Sequence, residues 1–349
     1  MPIVRQVARI FFFIILALMT LFPPSYWATS PEAAEKPENL VAQAKKEGTL
    51  VLYCSVPLEL MKPITEAYEQ RYPFIKSTIL RQSRNKIHAK VRTEQLAGQF
   101  LVDVIQSGGD HLYNFVKEGA FDRYYSAEAE SLEAKQKEPG FWSAFYHSNR
   151  VTAYNKRLVN DPPRDLMDLL DPKWKGLIAM RGDEEDQFVV LEEQVIGKEQ
   201  GFGYLKKLAA QKPRLYLDNA LLVQLLAAGE FPIVFHASQH LVESAKGKGA
   251  PVDWVAMEWK GKKFTITQTS ALALARNAPH PAAARLFVDF VLSKEGQELV
   301  SQLHQVPAKT RNVKLAYPNL IEGIEKYYVP IDIGKKIVEL KKRYEHLFQ

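Results

Sequence analysis

Between Thr49 and Gly109 the chain repeats one pattern tightly enough to exclude most architectures. Thr49-Leu50-Val51-Leu52-Tyr53 is a compact apolar run that predicts a strand. Ser55-Val56-Pro57 opens a helix over 58–71, with Leu60, Ile64, Ala67 and Tyr68 at helical spacing and Tyr72-Pro73 to end it. A second strand (75–80), a second helix (87–97) and a third strand (102–106) follow, the last ending at Ser107-Gly108-Gly109. Strand, helix, strand, helix, strand at this spacing means a parallel sheet with helices on its faces.

The cycle then repeats. Residues 150–155 read as a strand leading out of the first unit. Helices are expected over 165–170, 187–195, 203–210 and 221–228, strands over 177–180, 232–235 and 254–256. A long strand returns over 265–275, and 281–292 is a capped amphipathic helix. At 349 residues the chain is too long for one comfortable core and suits two domains. Its 46% hydrophobic and 25% charged residues are ordinary globular composition.

The first 28 residues differ from the rest. Arg5 and Arg9 lead into an apolar run that ends near Phe22, followed by Pro23-Pro24 and by Ala28, which suits a cleavage site. This describes a secretory signal peptide and so a periplasmic protein. Tyr26 is bulky where a small residue is expected, which leaves an uncleaved N-terminal anchor as the alternative. Residues 29–44 read as a polar linker and a short helix closed by Gly48. Removing residues 1–28 deletes two arginines and no acid, so the remainder is only mildly basic, and its charges are mixed in sign. That is no nucleic-acid footprint. Cys54 is the only cysteine, so neither an intramolecular disulfide nor a cysteine metal cage can form.

In open α/β sheets ligands collect at the carboxyl ends of the strands. Here the loops at those ends are Cys54-Ser55-Val56, Gln82-Ser83-Arg84 and Ser107-Gly108-Gly109, each with a hydroxyl and backbone N–H groups to offer.

"LVLYCSVPLELMKPITEAYEQRYP", "VTAYNKRLV", "DLLDPKWKGLIAM" and "SALALARNAPHPAAARLFVDFVLSKEGQEL" give the chain a family resemblance over residues 45–310. It resembles the extracellular solute-binding proteins (family 1) of bacterial ABC importers, in the group of ferric-ion, polyamine and phosphonate-type binders. The resemblance implies an α/β type II periplasmic binding protein fold, two α/β lobes joined by two crossing strands and closing by hinge motion over a solute. Mapped here, residues 45–149 and 270–305 form lobe 1 and 156–265 lobe 2. Residues 150–155 and 266–269 make the crossings, and 306–349 form a helical tail with Ile337, Leu340, Tyr344 and Leu347 on one face. It further implies a monomer that serves an ABC permease and is not an enzyme.

The expected cleft rim is Ser55, Ser83, Arg84, Ser107, Gly108, Arg181, Asn219, His236 and Gln268. Hydroxyls, backbone amides and two arginines suit a solute with an anionic head. The acids at 183–186 could neutralise Arg181, and equally permit a cationic solute such as a polyamine. Ferric-ion binders of this family resemble one another in a tyrosine pair that would fall near residue 236, where this chain has Phe235-His236-Ala237-Ser238-Gln239. Neither a cofactor nor a metal is expected. The alternative is a Zn or Fe receptor, or a zinc-dependent hydrolase, using His236 and His240. These two share a face if a helix begins there, with His236 the more plausible cleft residue and His240 a solvated one. The nucleophile-elbow glycine two places before Ser107 is absent, as is a phosphate-binding P-loop.

Overall fold

Two strands far longer than the rest, Trp142–Asn155 and Lys262–Leu274, organise the molecule. The structure is a computed structural model and describes residues 37–320, 322–344 and 346–348. The expected signal peptide (1–28) and the linker as far as residue 36 lie outside the described residues. No described helix is long and apolar enough to cross a membrane.

The described residues from 41 onward form one compact unit around a 13-stranded sheet system. On the first side Thr49–Cys54 pairs in parallel with Lys76–Arg81 and with Val104–Gly108, and Val104–Gly108 pairs antiparallel with the long strand Lys262–Leu274. On the second side Ile178–Arg181 lies between Arg214–Tyr216 and Ile233–Ser238, parallel to both. The strand Trp142–Asn155 serves both sides. Up to Ser148 it pairs with Lys262–Leu274, and from Arg150 onward it pairs with Ile233–Ser238 and Val252–Val255. Two α/β lobes joined by two crossing strands are therefore the architecture, as the family resemblance implied.

The boundaries follow local chemistry. Leu58–Arg71 begins where Pro57 fixes the backbone, and it buries Leu60, Met61, Ile64 and Tyr68. Pro281–Leu292 starts on Pro281, its first free N–H groups held by Glu47, which accepts from Ala282 N (3.1 Å) and Ala283 N (2.8 Å). Three expectations differ. The strand expected over 150–155 is the second half of a 14-residue strand, because Trp142 to Ser148 continue its buried pattern. The helix expected over 165–170 is only a short 3-10 turn, Asp168–Leu170, since Asp168 Oδ2 binds the N–H groups of Arg164 and Asp165 and fixes a turn instead. The helix expected over 187–195 runs as Glu185–Val190 and then widens into a π-helix, Leu191–Gly197.

The core lies in separate clusters, one per sheet face. Ile87, Ile105, Leu112, Phe115 and Trp142 fill one face of the first lobe. Ile178, Phe188, Leu205, Ile233 and Phe264 fill one face of the second, and Leu222, Leu226, Phe231 and Val234 its other face. Cys54 is buried, and burial pushes its thiol up to about 12, so it is an inert packing residue.

Candidate functional site

The strand ends of both lobes open on one cavity of about 470 Å³. Its first-lobe wall is built around Gln106. This side chain accepts from Ser55 N (2.8 Å), Ser55 Oγ (3.1 Å) and Val56 N (3.1 Å), and donates to Ser270 Oγ (2.8 Å). It thus fixes the first strand-end loop against the second crossing strand. Gly108 sits where a Cβ would fall 2.6 Å from the Thr269 carbonyl oxygen, so only glycine lets its strand approach this closely. At Gly109, with φ of 61°, a Cβ would meet Arg84 Nη1 and Gln268 Nε2 at about 3 Å, which places both polar groups beside this loop.

The centre of the site is Arg150, on the crossing strand where it changes lobes. It is 3% exposed, yet it borders the cavity. Nη1 donates to Ser148 Oγ (2.8 Å) and Nη2 lies 3.3 Å from Glu184 Oε1, while Nε has no hydrogen-bond partner among the described residues. Burial lowers the pKa of Arg150, and Glu184 partly offsets that. Glu184 is 2% exposed and is approached by Arg150, by Arg181 Nη1 at 3.8 Å and by His236 Nδ1 at 3.8 Å. Neither of its oxygens is in hydrogen-bond geometry among the described residues, so the two arginine contacts are electrostatic.

On the second lobe Arg181 donates from Nε and Nη2 to the two oxygens of Asp183 (2.8 and 2.6 Å). Burial works against its charge, but Glu184 and Asp183 outweigh burial and raise its pKa. Gln268 Nε2, on the second crossing strand, donates to Asp186 Oδ2 (3.1 Å).

Seven of the nine expected rim residues border the cavity: Ser55, Ser83, Arg84, Gly108, Arg181, Asn219 and Gln268. Ser107 and His236 do not. Ser107 is a strand residue between Gln106 and Gly108, and alternation turns its side chain to the opposite face, where it is buried. His236 is likewise a buried strand residue, with φ of 60°. The helix begins only at Gln239, so His236 and His240 do not share a helical face. It is His240, expected to be solvated, that borders the cavity. Burial, with Arg150 adding to it, pushes the pKa of both imidazoles down to about 3, so both are neutral. Among the described residues no group of three or more His, Cys, Asp or Glu is placed to hold a metal ion.

Sequence reasoning missed Gln106 and Arg150, and weighed His240 only as a solvated residue or a metal ligand. The first two had a signal: a polar side chain inside an otherwise apolar strand, where burial is costly without a partner or a purpose.

Comparison with known proteins agrees with this geometry. The model of the bacterial extracellular solute-binding protein family matches residues 57–298. The chain belongs to that family. An uncharacterized protein of Haemophilus influenzae is 27% identical over 272 residues, 73% of this chain and 76% of its own length. A putative 2-aminoethylphosphonate-binding periplasmic protein of Salmonella typhimurium is 28% identical over 156 residues, 43% of this chain and 46% of that one, so the match spans under half of that relative. The substrate-binding protein of an ABC transporter from Agrobacterium tumefaciens superposes with a TM-score of 0.73 at 18% identity, covering 86% of this chain and 94% of that one. The periplasmic binding protein AfuA from Actinobacillus pleuropneumoniae, with fructose-6-phosphate bound, gives 0.67 at 23%, covering 85% and 96%. These likenesses show the type II fold. Its family is one of extracellular solute-binding proteins, which are non-enzymatic components of transport.

Proposed function

We propose that the protein works in the periplasm as a monomer and captures a small solute with an anionic head group, a carboxylate, phosphate or phosphonate, between its lobes. The observation that carries this is Arg150. A guanidinium buried where the lobes cross, with its Nε unpartnered among the described residues, suits an incoming anion. Arg84, Ser55, Ser83 and the Gly108 backbone border the same cavity from the first lobe, Arg181 and Asn219 from the second, and Gln268 from the crossing. Of the acids that would favour a polyamine, Asp183 is held by Arg181, Asp186 by Gln268, and Glu184 lies beside Arg150 and Arg181, which leaves Glu185 at the cavity wall against four arginines, Arg81, Arg84, Arg150 and Arg181. The name of the Salmonella relative, a putative 2-aminoethylphosphonate binder, supports the same class.

Ferric ion is the reading against which this is set, because an iron uptake protein of Synechocystis is 25% identical over 179 residues. Fe(III) favours phenolate oxygens. Here Phe235 and His236 occupy the expected tyrosine positions, and burial raises the pKa of Tyr146, the cavity's tyrosine, against phenolate formation.

Calorimetric titration with 2-aminoethylphosphonate, a sugar phosphate, spermidine and ferric citrate tests the proposal. Saturable binding of an organic anion is expected. Tight binding of spermidine alone, or a visible charge-transfer band with iron, contradicts it.

A further inference from the structure

The C-terminal segment, a helical tail with one apolar face by its sequence, touches both lobes. Strand Glu325–Tyr328 adds in parallel to the crossing strand at Phe264–Thr267. Beyond it Ile331 packs against the first-lobe core, and Lys335 Nζ lies 5.3 Å from the ring centre of Tyr113, on the helix Asp110–Lys117 of that lobe. The chain then returns to the second lobe. In the helix Ile337–Tyr344, Leu340 and Tyr344 are buried in the second-lobe core, and Tyr344 Oη donates to Glu192 Oε2 (2.7 Å). Arg343 pairs with the same carboxylate, and Phe348 lies 5.1 Å from Phe188, ring to ring.

Burying Leu340 and Tyr344, four residues apart, fixes the rotation of this helix. Ile337 and Lys341 share a neighbouring stripe, and both border the solute cavity. Lys342 does not; an adjoining groove with Leu215 and Val338 is bordered by both lysines, so only Lys341 reaches the cavity as well.

We infer that the C-terminal segment is part of the solute site: it links the two lobes beside the cavity and supplies Lys341 as a cation to the bound anion. This rests on the anionic-solute reading above. Lys341 contributes a contact from outside both sheets, on a helix whose position depends on the second lobe, so its reach is set by the tail's anchoring. A solute long enough to extend from the Arg84 side to the tail gains a second charged contact. A solute that is too short does not.

The test uses the full mature chain and four variants, Lys341→Ala, Lys341→Glu, Lys342→Glu and Arg84→Ala, titrated with 2-aminoethylphosphonate, fructose 6-phosphate and inorganic phosphate. Lys341 is exposed, so an unchanged melting temperature is expected and confirms the fold. For the organic anion that the wild type binds most tightly, Lys341→Ala should weaken binding on the order of 3-fold and Lys341→Glu about 10-fold. Lys342→Glu, the same change of charge one residue on, should stay within about 2-fold. Equal losses at 341 and 342 overturn the inference, because a general field would then be the cause. Unchanged binding by Lys341→Glu, with Arg84→Ala weakened, overturns it while leaving the anion reading intact. If the wild type binds none of the three anions, the anion reading fails and the assignment of Lys341 fails with it.

Discussion

Arg150 and Glu184 form a buried pair whose members are worth more together than apart. Removing one partner of such a pair costs about 3–5 kcal/mol, because the other charge stays buried without compensation. Arg150→Met should therefore lose stability of that order in chemical denaturation and lose solute binding in calorimetry. Adding Glu184→Gln should recover much of the stability and none of the binding. The buried histidines give a second residue-level prediction. His147, His236 and His240 have pKa values pushed down to about 3 by burial, against about 6.5 in the unfolded chain. Between those values the unfolded state binds more protons, so stability is intact above pH 6.5 and is lost as pH falls toward 3. Each histidine should cost about 2 kcal/mol by pH 5. Denaturation curves at pH 7.5 and pH 5 check this, and His236→Gln should flatten the dependence by one proton's worth. At Gly108, alanine should destabilise by about 1–3 kcal/mol, since its Cβ would strike the Thr269 carbonyl.

At the scale of elements, the strands and helices of the first lobe were legible because their apolar periodicity agreed with their turn residues. Leu58–Arg71 and Pro281–Leu292 fall where Pro57, Tyr72 and Pro281 place them. The 14-residue crossing strand was read only in its second half, since the polar run His147-Ser148-Asn149 reads as loop until His147 and Ser148 pair with the second crossing strand. The site was legible as loops at strand ends but not as side-chain directions. Ser107 was misplaced because its face depends on strand register, which the spacing of residues does not fix. His236 was misplaced because the strand runs on to Ser238 before the helix starts. The C-terminal helix shows the same limit: its apolar stripe was visible, but Ile337 borders the cavity while Leu340 and Tyr344 enter the core. Tyr344→Phe should cost about 1–3 kcal/mol by leaving a Glu192 oxygen without its buried donor, measurable as a lower denaturation midpoint.

For the whole molecule, the cavity walls come from two lobes joined by Trp142–Asn155 and Lys262–Leu274. A solute that touches both walls binds the closed arrangement better than the open one, and only such differential contact can shift the equilibrium between them. Arg84 and Ser55 on one side and Arg181 and Asn219 on the other are the groups proposed to make that contact. Small-angle X-ray scattering of the protein, before and after saturation with the anion that binds in calorimetry, tests this most directly. Capture between the lobes predicts a smaller radius of gyration with solute, and no contraction for Arg150→Met under the same conditions. An unchanged radius in the wild type at saturation would contradict it.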